Sequence, residues 1–258
     1  MAFLENKTLL ITGVLTEDSL AFQVARLAEE NGAKIILSGA GRGLSLTKRT
    51  AQKLSSSPEV LEIDVTVEEQ LQEAGRYVID NYTKLDGILH SIGYAPPSCL
   101  GQGMFAADWN DVSLNLNISA YSLKSLVQAF LPALRNADTA SVVGLDFDAS
   151  VSWPGYDWMG VAKAAYESLA RYLARDLGPD NIRVNLIAAG PVKTIAAKSI
   201  PAFPRFEDVW ASKAPLGWDT TDQAHAVAKA CVCLLSDWFP ATTGEIIHVD
   251  GGYHAVGA

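Results

Sequence analysis

The sequence predicts an α/β fold, a single-domain doubly wound parallel sheet of about seven strands with helices on both faces. Short runs rich in β-branched residues alternate with longer segments of helical periodicity, the pattern of parallel strands joined by crossover helices. Apolar residues make up 49% of the chain and charged residues 19%, a globular composition. The length of 258 residues suits one large domain, 1–258, with a sizeable core. Right-handed crossovers then make this a Rossmann fold.

The individual strands and helices follow from the hydrophobic runs and the residues between them. Ser19 or Asp18 lies near the N-cap of the first predicted helix, and Gly32 closes it. The predicted strands are 7–12, 34–39, 60–65, 85–93, 140–145, 182–190 and 245–250. The predicted helices are 19–32, a long stretch ending near 134, 156–177 and 221–235.

One segment, residues 191–214, has no clear periodicity and contains three prolines. A segment of that length inside a compact domain is usually a functional lid or a loop with short helices. We therefore expect a substrate-binding lid at about 191–214.

Charge and composition argue against several classes of function. The net charge is −9 without any Lys/Arg-rich run, so we expect neither nucleic acid nor a membrane as a partner. No apolar run approaches the ~18 residues of a membrane span, and the first residues read as a strand, which favours a soluble, cytoplasmic protein. Cys99, Cys231 and Cys233 favour thiols over a disulfide framework, with the last two buried, and the scattered histidines predict no metal site.

Candidate binding residues follow the predicted strands, because ligands of doubly wound sheets bind at the carboxyl ends of the strands. After strand one, Gly13 leads to a helix that starts near Ser19 and Leu20, where free N–H groups suit a pyrophosphate. Gly13 is the only glycine between this strand and the helix, so the usual G-x-G-x-x-G fingerprint of dinucleotide sites is absent.

The next strand ends add candidates for contacts with a dinucleotide. After strand two, Ala40 is followed by Arg42, which could meet a 2′-phosphate, stack on adenine or simply be solvated in a glycine turn. No acidic residue stands there to bind a ribose 2′-hydroxyl, so the residues alone leave NADH and NADPH open. The candidates after strands three and four are Asp64, Val65, Ser91, Ile92 and Gly93.

Two side chains beyond strand five form a candidate catalytic pair. Tyr156 and Lys163 are seven residues apart on a predicted helix, so they share one face and lie about 10 Å apart along its axis. This spacing lets both grip one ligand, although it also occurs by chance. After strand six, Val192 and Thr194 would lie over a nicotinamide at the switch point of the sheet.

Taken together, these strand-end residues resemble the short-chain dehydrogenase/reductase superfamily across essentially the whole chain. Five features narrow the resemblance to the NADH-dependent enoyl-acyl-carrier-protein reductases of type II fatty-acid synthesis. They are the single-glycine loop TGVLTEDSLAF, the segments LDGILHSIG and AAGPVKT, the spacing of Tyr156, Met159 and Lys163, and the tail LLSDWFPATTGEIIHVDGG.

Departures from ordinary superfamily members support the narrower resemblance. Ordinary members carry Tyr-x-x-x-Lys, but here the residue four before the lysine is Met159. They also carry a serine thirteen residues before the tyrosine, where this chain has Val143. Phe147 stands where most bacterial enoyl reductases have a second tyrosine, which resembles the mycobacterial branch. Residues 195–217 are shorter than the substrate loop of that branch, so its preference for very long acyl chains is not carried over.

The resemblance implies roles for these residues in reducing a trans-2-enoyl thioester. Tyr156 would donate a hydrogen bond to the thioester oxygen, Lys163 would bind the nicotinamide ribose, and Phe147 would complete the catalytic set. For Phe147 and Met159, ordinary core packing is an equally good interpretation. The implied substrate contacts are Phe147, Tyr156, Met159, Ala196 and Ile200, with Ile195 and Phe203 also on the lid. The family further implies NADH as the cofactor and a homotetramer.

Charged residues of the lid form what we call the basic rim. They are Lys193, Lys198, Arg205 and Lys213, with Glu207 and Asp208 among them. Four cations against two carboxylates are a local positive excess in an acidic chain, which suits an acidic acyl carrier protein bearing the enoyl substrate. Solvated charges on a mobile loop are the alternative interpretation.

Two other functions stay open at this point. A carbonyl reductase acting on 3-ketoacyl thioesters would normally carry the serine and the four-residue tyrosine–lysine step that this chain lacks. A non-catalytic, nucleotide-sensing relative would bind the cofactor without turnover. The intact Tyr156 and Lys163 count against that relative, whereas Phe147 slightly favours it.

Overall fold

The computed structural model describes residues 3–257 and contains a seven-stranded sheet in which all neighbouring strands are parallel. The strands are β1 (Thr8–Thr12), β2 (Lys34–Gly39), β3 (Glu59–Glu62), β4 (Gly87–His90), β5 (Ala140–Asp146), β6 (Ile182–Ala189) and β7 (Ile246–Val249). Their order is β3-β2-β1-β4-β5-β6-β7, so the strand order reverses between β1 and β4. The predicted fold class is confirmed, and the switch point lies between these two strands.

Helices cover both faces of the sheet. They are α1 (Leu20–Glu30), α2 (Gly41–Ala51), α3 (Glu68–Tyr82), α4 (Trp109–Leu116), α5 (Ser122–Arg135), α6 (Asp157–Leu177), α7 (Phe203–Lys213) and α8 (Ala224–Leu235). Successive residues of β1 point to opposite faces, which gives two cores. Leu9 and Ile11 pack with α1 and α8 in one core, and Leu10 packs with α3, α5 and α6 in the other.

Helices α2 and α3 were not predicted from the sequence. Helix α2 begins at Gly41 and includes Gly43, and glycine is a poor helix former, so the start of this helix resembles a turn in sequence. Arg42 therefore lies in the first turn of a helix and not in a glycine turn, and its side chain is exposed.

The long helical stretch predicted up to 134 is interrupted. Pro96 and Pro97 precede two glycines with positive φ, Gly101 and Gly103. Prolines and glycines in these conformations do not continue an α-helix, so the chain between β4 and Trp109 contains only a short 3₁₀ turn. A π-helical turn at Asn117–Tyr121 then separates α4 from α5.

Strands β3 and β4 are shorter than predicted at their carboxyl ends, since the chain leaves the sheet at Glu62 and His90. The predicted candidates Asp64, Val65 and Ser91 are therefore loop residues just beyond the sheet.

Two residues fix the loops at the switch point. Gly13 has a φ of +81°, and a Cβ there would lie 2.0 Å from the carbonyl oxygen of Ser91, so only glycine fits. The Thr12 hydroxyl accepts a hydrogen bond from the N–H of Ser91 at 2.9 Å and donates one to the oxygen of Leu89 at 3.0 Å. The loops after β1 and β4 are thereby held against each other.

The lid segment 191–214 is more ordered in structure than its sequence suggests. It contains a short 3₁₀ turn at Ala197–Ser199 and then α7. Pro204 lies in the first turn of α7, a position where its missing N–H costs nothing. The three cysteines are free thiols; Cys99 and Cys231 are buried and Cys233 is half-buried.

Within 3–257, none of the helices combines the length and the apolar character that a bilayer crossing requires. Across the same residues, no group of three or more His, Cys, Asp or Glu side chains is placed to hold a metal ion.

Candidate active site

Tyr156 and Lys163 lie together at the carboxyl edge of the sheet, on the buried side of α6. Tyr156 is the N-cap residue of this helix, and Met159, Lys163 and Tyr166 follow at helical spacing on the same buried face. Tyr156 is 6% exposed and Lys163 is 9% exposed. The predicted shared face is therefore present, and it faces the protein rather than solvent.

The Tyr156 ring sits in an apolar environment. It meets the ring of Phe147 edge to face, with 5.2 Å between the ring centroids, and it packs with Leu100, Met159 and Ala162. Burial, and to a lesser degree the charge of Asp146, raises the pKa of Tyr156 well above its ordinary value. The phenol therefore keeps its proton at neutral pH and is suited to donate a hydrogen bond to a ligand.

Lys163 and Asp146 form a buried pair beside this ring. The Lys163 Nζ donates to the carbonyl oxygen of Leu145 at 2.9 Å and lies 3.7 Å from Asp146 Oδ1. Burial lowers the pKa of Lys163 and raises the pKa of Asp146 to about 7. Neither carboxylate oxygen of Asp146 has a hydrogen-bond partner within the described residues. The pair thus has unused donors and acceptors at a buried position.

A second buried group, His90, lies at the end of β4 behind this pair. Its Nε2 is 2.8 Å from the hydroxyl of Ser122, and its Nδ1 is 2.7 Å from the hydroxyl of Tyr166. Ser122 donates its own proton to the oxygen of Ile118, so His90 Nε2 must carry the proton and Nδ1 must accept from Tyr166. Burial lowers the pKa of His90 to about 3, in agreement with a neutral imidazole.

Replacing His90 with Gln is expected to reduce the acid sensitivity of folding. The folded pKa lies below the unfolded value of 6.5, so the contribution of His90 is complete above pH 6.5 and is lost as pH falls towards 3. Between pH 7.5 and pH 5 we expect the wild type to lose about 2 kcal/mol more unfolding free energy than the variant. Urea unfolding at both pH values measures this difference.

The pH dependence of the wild type alone would not isolate His90, because Asp146 changes the unfolding free energy with pH in the opposite direction. The wild type is therefore compared with His90→Gln. The raised pKa of Asp146 makes the folded state take up an extra proton between about pH 4 and 7, which favours folding at the acidic end. His225→Gln, at an exposed position on α8, is the matched control. Equal pH slopes for the wild type and His90→Gln would contradict the assignment of a neutral buried imidazole.

The start of α1 offers free donors at the switch point. The Ser19 side chain accepts the N–H groups of Leu15 and Thr16 at 3.2 and 3.0 Å, so it holds the loop and does not cap the helix. The N–H groups of Leu20 and Ala21 have no acceptor within 3–257. The loop is thereby fixed while the helix end stays available to an anion.

The other dinucleotide candidates line the same edge of the sheet. Ala40 occupies the N-cap position of α2, in an extended conformation. Asp64 is half-buried, and its Oδ1 accepts from both the N–H and the hydroxyl of Thr66, so this carboxylate partly serves its own loop. Val65 is buried. The structure thus places these residues after β2 and β3, on the far side of β1 from α6.

The remaining candidates follow β4 and β6, the strands on either side of β5. Ser91 and Ile92 are half-buried and Gly93 is exposed. Val192 is buried, and the hydroxyl of Thr194 accepts the N–H of Ala197 at 3.1 Å, which starts the 3₁₀ turn of the lid.

Only some of the predicted substrate residues of segment 191–214 lie near Tyr156. Ile200 packs in the cluster of Tyr156 and Met159, whereas Ala196 and Ile195 are exposed. Phe203 is buried. On the basic rim, the Lys193 Nζ bonds Glu207 at 2.8 Å, and the hydrogen bonds from Lys193 and Thr220 lower the pKa of Glu207.

Phe147, which was predicted from the sequence, packs in a group of aromatic side chains whose four other members were not predicted. We call it the aromatic wall; its members are Phe147, Trp153, Phe206, Trp210 and Tyr253. They come from three distant segments, so no local pattern reveals them. Asp146 was also missed, although it directly precedes Phe147 at a strand end, and that position was a usable signal.

Comparisons with known proteins agree on one family. The model of the enoyl-(acyl carrier protein) reductase family matches residues 13–254. The enoyl-[acyl-carrier-protein] reductase [NADH] of Mycolicibacterium smegmatis is 42% identical, over 96% of each chain. The enzyme of the same name from Aquifex aeolicus is 37% identical, over 100% of this chain and 94% of its own. The enoyl-[acyl-carrier-protein] reductase [NADPH] of Staphylococcus aureus is 34% identical, over 99% of this chain and all of its own.

Proposed function

The chain belongs to the enoyl-(acyl carrier protein) reductase family, and we propose that it reduces a trans-2-enoyl thioester to the saturated acyl thioester in fatty-acid elongation, with NADH as the reductant. The substrate is carried on acyl carrier protein or coenzyme A. The observation that carries the proposal is the pair Tyr156 and Lys163, both buried on one face of α6 at the carboxyl edge of the sheet.

NADH supplies the hydride for this reaction when it is bound. The chain offers features that fit it: the free N–H groups of Leu20 and Ala21 suit a pyrophosphate, and Lys163 has donors to spare for ribose hydroxyls. The residues proposed to hold NADH are Gly13, Ser19, Leu20, Ala40, Asp64, Val65, Ser91, Ile92, Gly93, Lys163, Val192 and Thr194. NADH is favoured over NADPH because the relatives from Mycolicibacterium smegmatis and Aquifex aeolicus carry NADH in their names.

Tyr156 stabilises the charge that the reaction creates. Reduction at C3 of the enoyl group builds negative charge on the thioester oxygen, which needs a hydrogen-bond donor in a site without water. Tyr156 keeps its proton because burial raises its pKa, and a donor of this kind typically lowers the barrier by about 3–4 kcal/mol. Lys163 contributes mainly by orienting the nicotinamide ribose.

The acyl group lies between Tyr156 and the lid in this proposal. Residues 191–214 act as the lid of one Rossmann-type domain, and Phe147, Met159, Ala196 and Ile200 contact the acyl chain. The packing of Ile200 with Tyr156 and Met159 supports this placement, and Phe147 in edge-to-face contact with Tyr156 supports its inclusion in the catalytic set.

Oxidation of NADH with two substrates tests the function. The protein is mixed with a trans-2-enoyl-CoA and, in parallel, with a 3-ketoacyl-CoA of equal length, and the absorbance of NADH is followed. Turnover of only the enoyl substrate is expected. Turnover of the ketoacyl substrate would establish a carbonyl reductase instead, and NADH binding without any turnover would establish a sensing relative.

The basic rim is proposed to receive acyl carrier protein. Because Lys193 is paired with Glu207, the exposed cations Lys198 and Arg205 are the better candidates for contact with an acidic partner. Reversing both charges, Lys198→Glu with Arg205→Glu, is expected to raise KM for a carrier-bound enoyl substrate at least about tenfold and to leave KM for the CoA analogue nearly unchanged.

Steady-state kinetics on both substrates measures this effect. Lys229→Glu, on the exposed side of α8, is the control for a general change in net charge. If the double reversal leaves KM for the carrier-bound substrate unchanged, the rim is a set of solvated charges.

Assembly and location complete the proposal. A homotetramer is supported by exposed apolar side chains on α6 and near the C terminus, namely Val161, Tyr172 and Val256, and residues 250–258 are a candidate interface segment. Three free thiols suit the reducing cytoplasm.

A further inference from the structure

Asp146 is a buried carboxylate for which the fold supplies no hydrogen bond. It is the last residue of β5 and is 6% exposed. Neither of its carboxylate oxygens accepts a hydrogen bond within residues 3–257. Burying a carboxylate is unfavourable unless another group compensates for it, so a carboxylate at this position needs a reason other than packing.

The charged group beside Asp146 is the ammonium of Lys163. The Lys163 Nζ lies 3.7 Å from Asp146 Oδ1, and it donates to the carbonyl oxygen of Leu145 at 2.9 Å. It also lies 5.0 Å from the centre of the Tyr166 ring. Among residues 3–257, no other carboxylate forms an ion pair with Lys163. The end of β5 therefore holds this ammonium in place and supplies its one close negative charge.

The other ionisable groups around Lys163 are poor substitutes for Asp146. Glu167, one turn further along α6, raises the pKa of Lys163 less than Asp146 does. Its carboxylate already accepts the N–H of Ala149 at 3.0 Å and lies 4.0 Å from Arg171. The remaining neighbours are Asp148, which affects the pKa of Asp146 and not that of Lys163, and three groups that burial keeps neutral at pH 7, namely His90, Tyr156 and Tyr166.

We propose that Asp146 is a positioning residue, which keeps the Lys163 ammonium charged and in place to bind the nicotinamide ribose of NADH. The inference rests on the role proposed above for Lys163 and adds a residue that acts through it. Burial lowers the pKa of Lys163, and the negative charge of Asp146 is the largest influence that opposes this. A neutral lysine would lose the charge-assisted hydrogen bonds that an ammonium makes to ribose hydroxyls.

This role makes NADH binding depend on pH in a defined direction. Burial raises the pKa of Asp146 to about 7, so this carboxyl is mostly neutral at pH 6 and mostly ionised at pH 8.5. In Asp146→Asn the same position is neutral at every pH. The wild type and the variant therefore have the same charge beside Lys163 at pH 6 and differ at pH 8.5. At the higher pH, the variant lacks the negative charge that keeps the proton on Lys163.

The test is a fluorescence titration of the full chain with NADH at pH 6 and at pH 8.5. The Kd of Asp146→Asn is expected to lie within about twofold of the wild type at pH 6 and to be at least about tenfold higher at pH 8.5, because an opposite charge at this distance moves a pKa by about 1–3 pH units. Glu167→Gln is expected to change the Kd in the same direction but by less.

Two further variants complete the design. Asp176→Asn is the matched control, because Asp176 lies on α6 with 59% of its side chain exposed. It is expected to follow the wild type at both pH values. Asp146→Ser removes the same charge with a smaller side chain, so the result does not depend on how well an amide fits. Melting temperatures without NADH, measured at both pH values, check that each variant is folded.

The outcomes separate this inference from the proposed function. An equal rise in Kd at both pH values would make Asp146 a structural residue only, and an unchanged Kd at both would overturn the inference outright. If neither Asp146 variant folds, its role is structural and the inference also fails. A wild type that does not bind NADH would overturn the cofactor proposal, whereas NADH binding without turnover of an enoyl-CoA would overturn the activity and leave the role of Asp146 standing.

Discussion

Replacing Tyr156 with Phe is expected to lower kcat by about 10²–10³-fold while KM for NADH changes little. The substitution removes only the phenol oxygen, and the ring keeps its edge-to-face contact with Phe147. The loss is expected because Phe cannot donate the hydrogen bond to the thioester oxygen that the proposal assigns to the Tyr156 phenol. Steady-state kinetics with an enoyl-CoA measures kcat, and fluorescence titration measures NADH binding.

Tyr172→Phe is the matched control for this experiment, because Tyr172 lies on the same helix with 58% of its surface exposed. It is expected to leave kcat unchanged. If Tyr156→Phe retains kcat within a few-fold of the wild type, Tyr156 is a packing residue and another donor must serve the oxygen.

Replacing Lys163 with Met is expected to raise the Kd for NADH about 10- to 100-fold, because charge-assisted hydrogen bonds to the ribose are lost. The buried carboxyl of Asp146 then loses its positive neighbour. Since burial already raises its pKa to about 7, Asp146 is expected to take up a proton at neutral pH, and the fold is expected to persist. Calorimetric titration gives Kd, and thermal unfolding checks the fold.

Lys229→Met, at an exposed position on α8, is the control for the loss of one positive charge. Asp146→Asn in the Lys163→Met background tests the coupling: it should add little to the loss of NADH affinity, because Asp146 is already neutral there. An unchanged Kd in Lys163→Met would assign Lys163 a structural role only.

Much of the fold could be predicted from the sequence. The central parallel strands are buried on both faces, so their sequences are nearly continuous runs of apolar residues. All residues of β1 and β6 are buried, and both strands were predicted close to their observed bounds. Helix α2 was missed because its glycines weaken the local signal, and its formation depends on packing against β2 and β3. The break between α4 and α5 also has no simple signal in the sequence.

Some features of the candidate site could also be predicted from the sequence, and others could not. Tyr156 and Lys163 are related by helical spacing, which a sequence displays directly, and the strand-end rule places the loops around them. The neutral state of His90 and the pairing of Asp146 with Lys163 depend on neighbours from the helices α5 and α6, which spacing does not reveal. The wall needed three segments folded together before its rings met.

The hydroxyl of Thr12 joins the loops after β1 and β4, where the strand order of the sheet reverses. Together with the close approach of Gly13 to Ser91, it fixes the separation of the loops after β1 and β4. If NADH binds at this edge as proposed, these loops are already held in place and little of its binding free energy is lost in reorganising the backbone. Thr12→Val keeps the shape of the side chain but removes both hydrogen bonds of the hydroxyl, so the loops after β1 and β4 would become more mobile while the space between them stays the same.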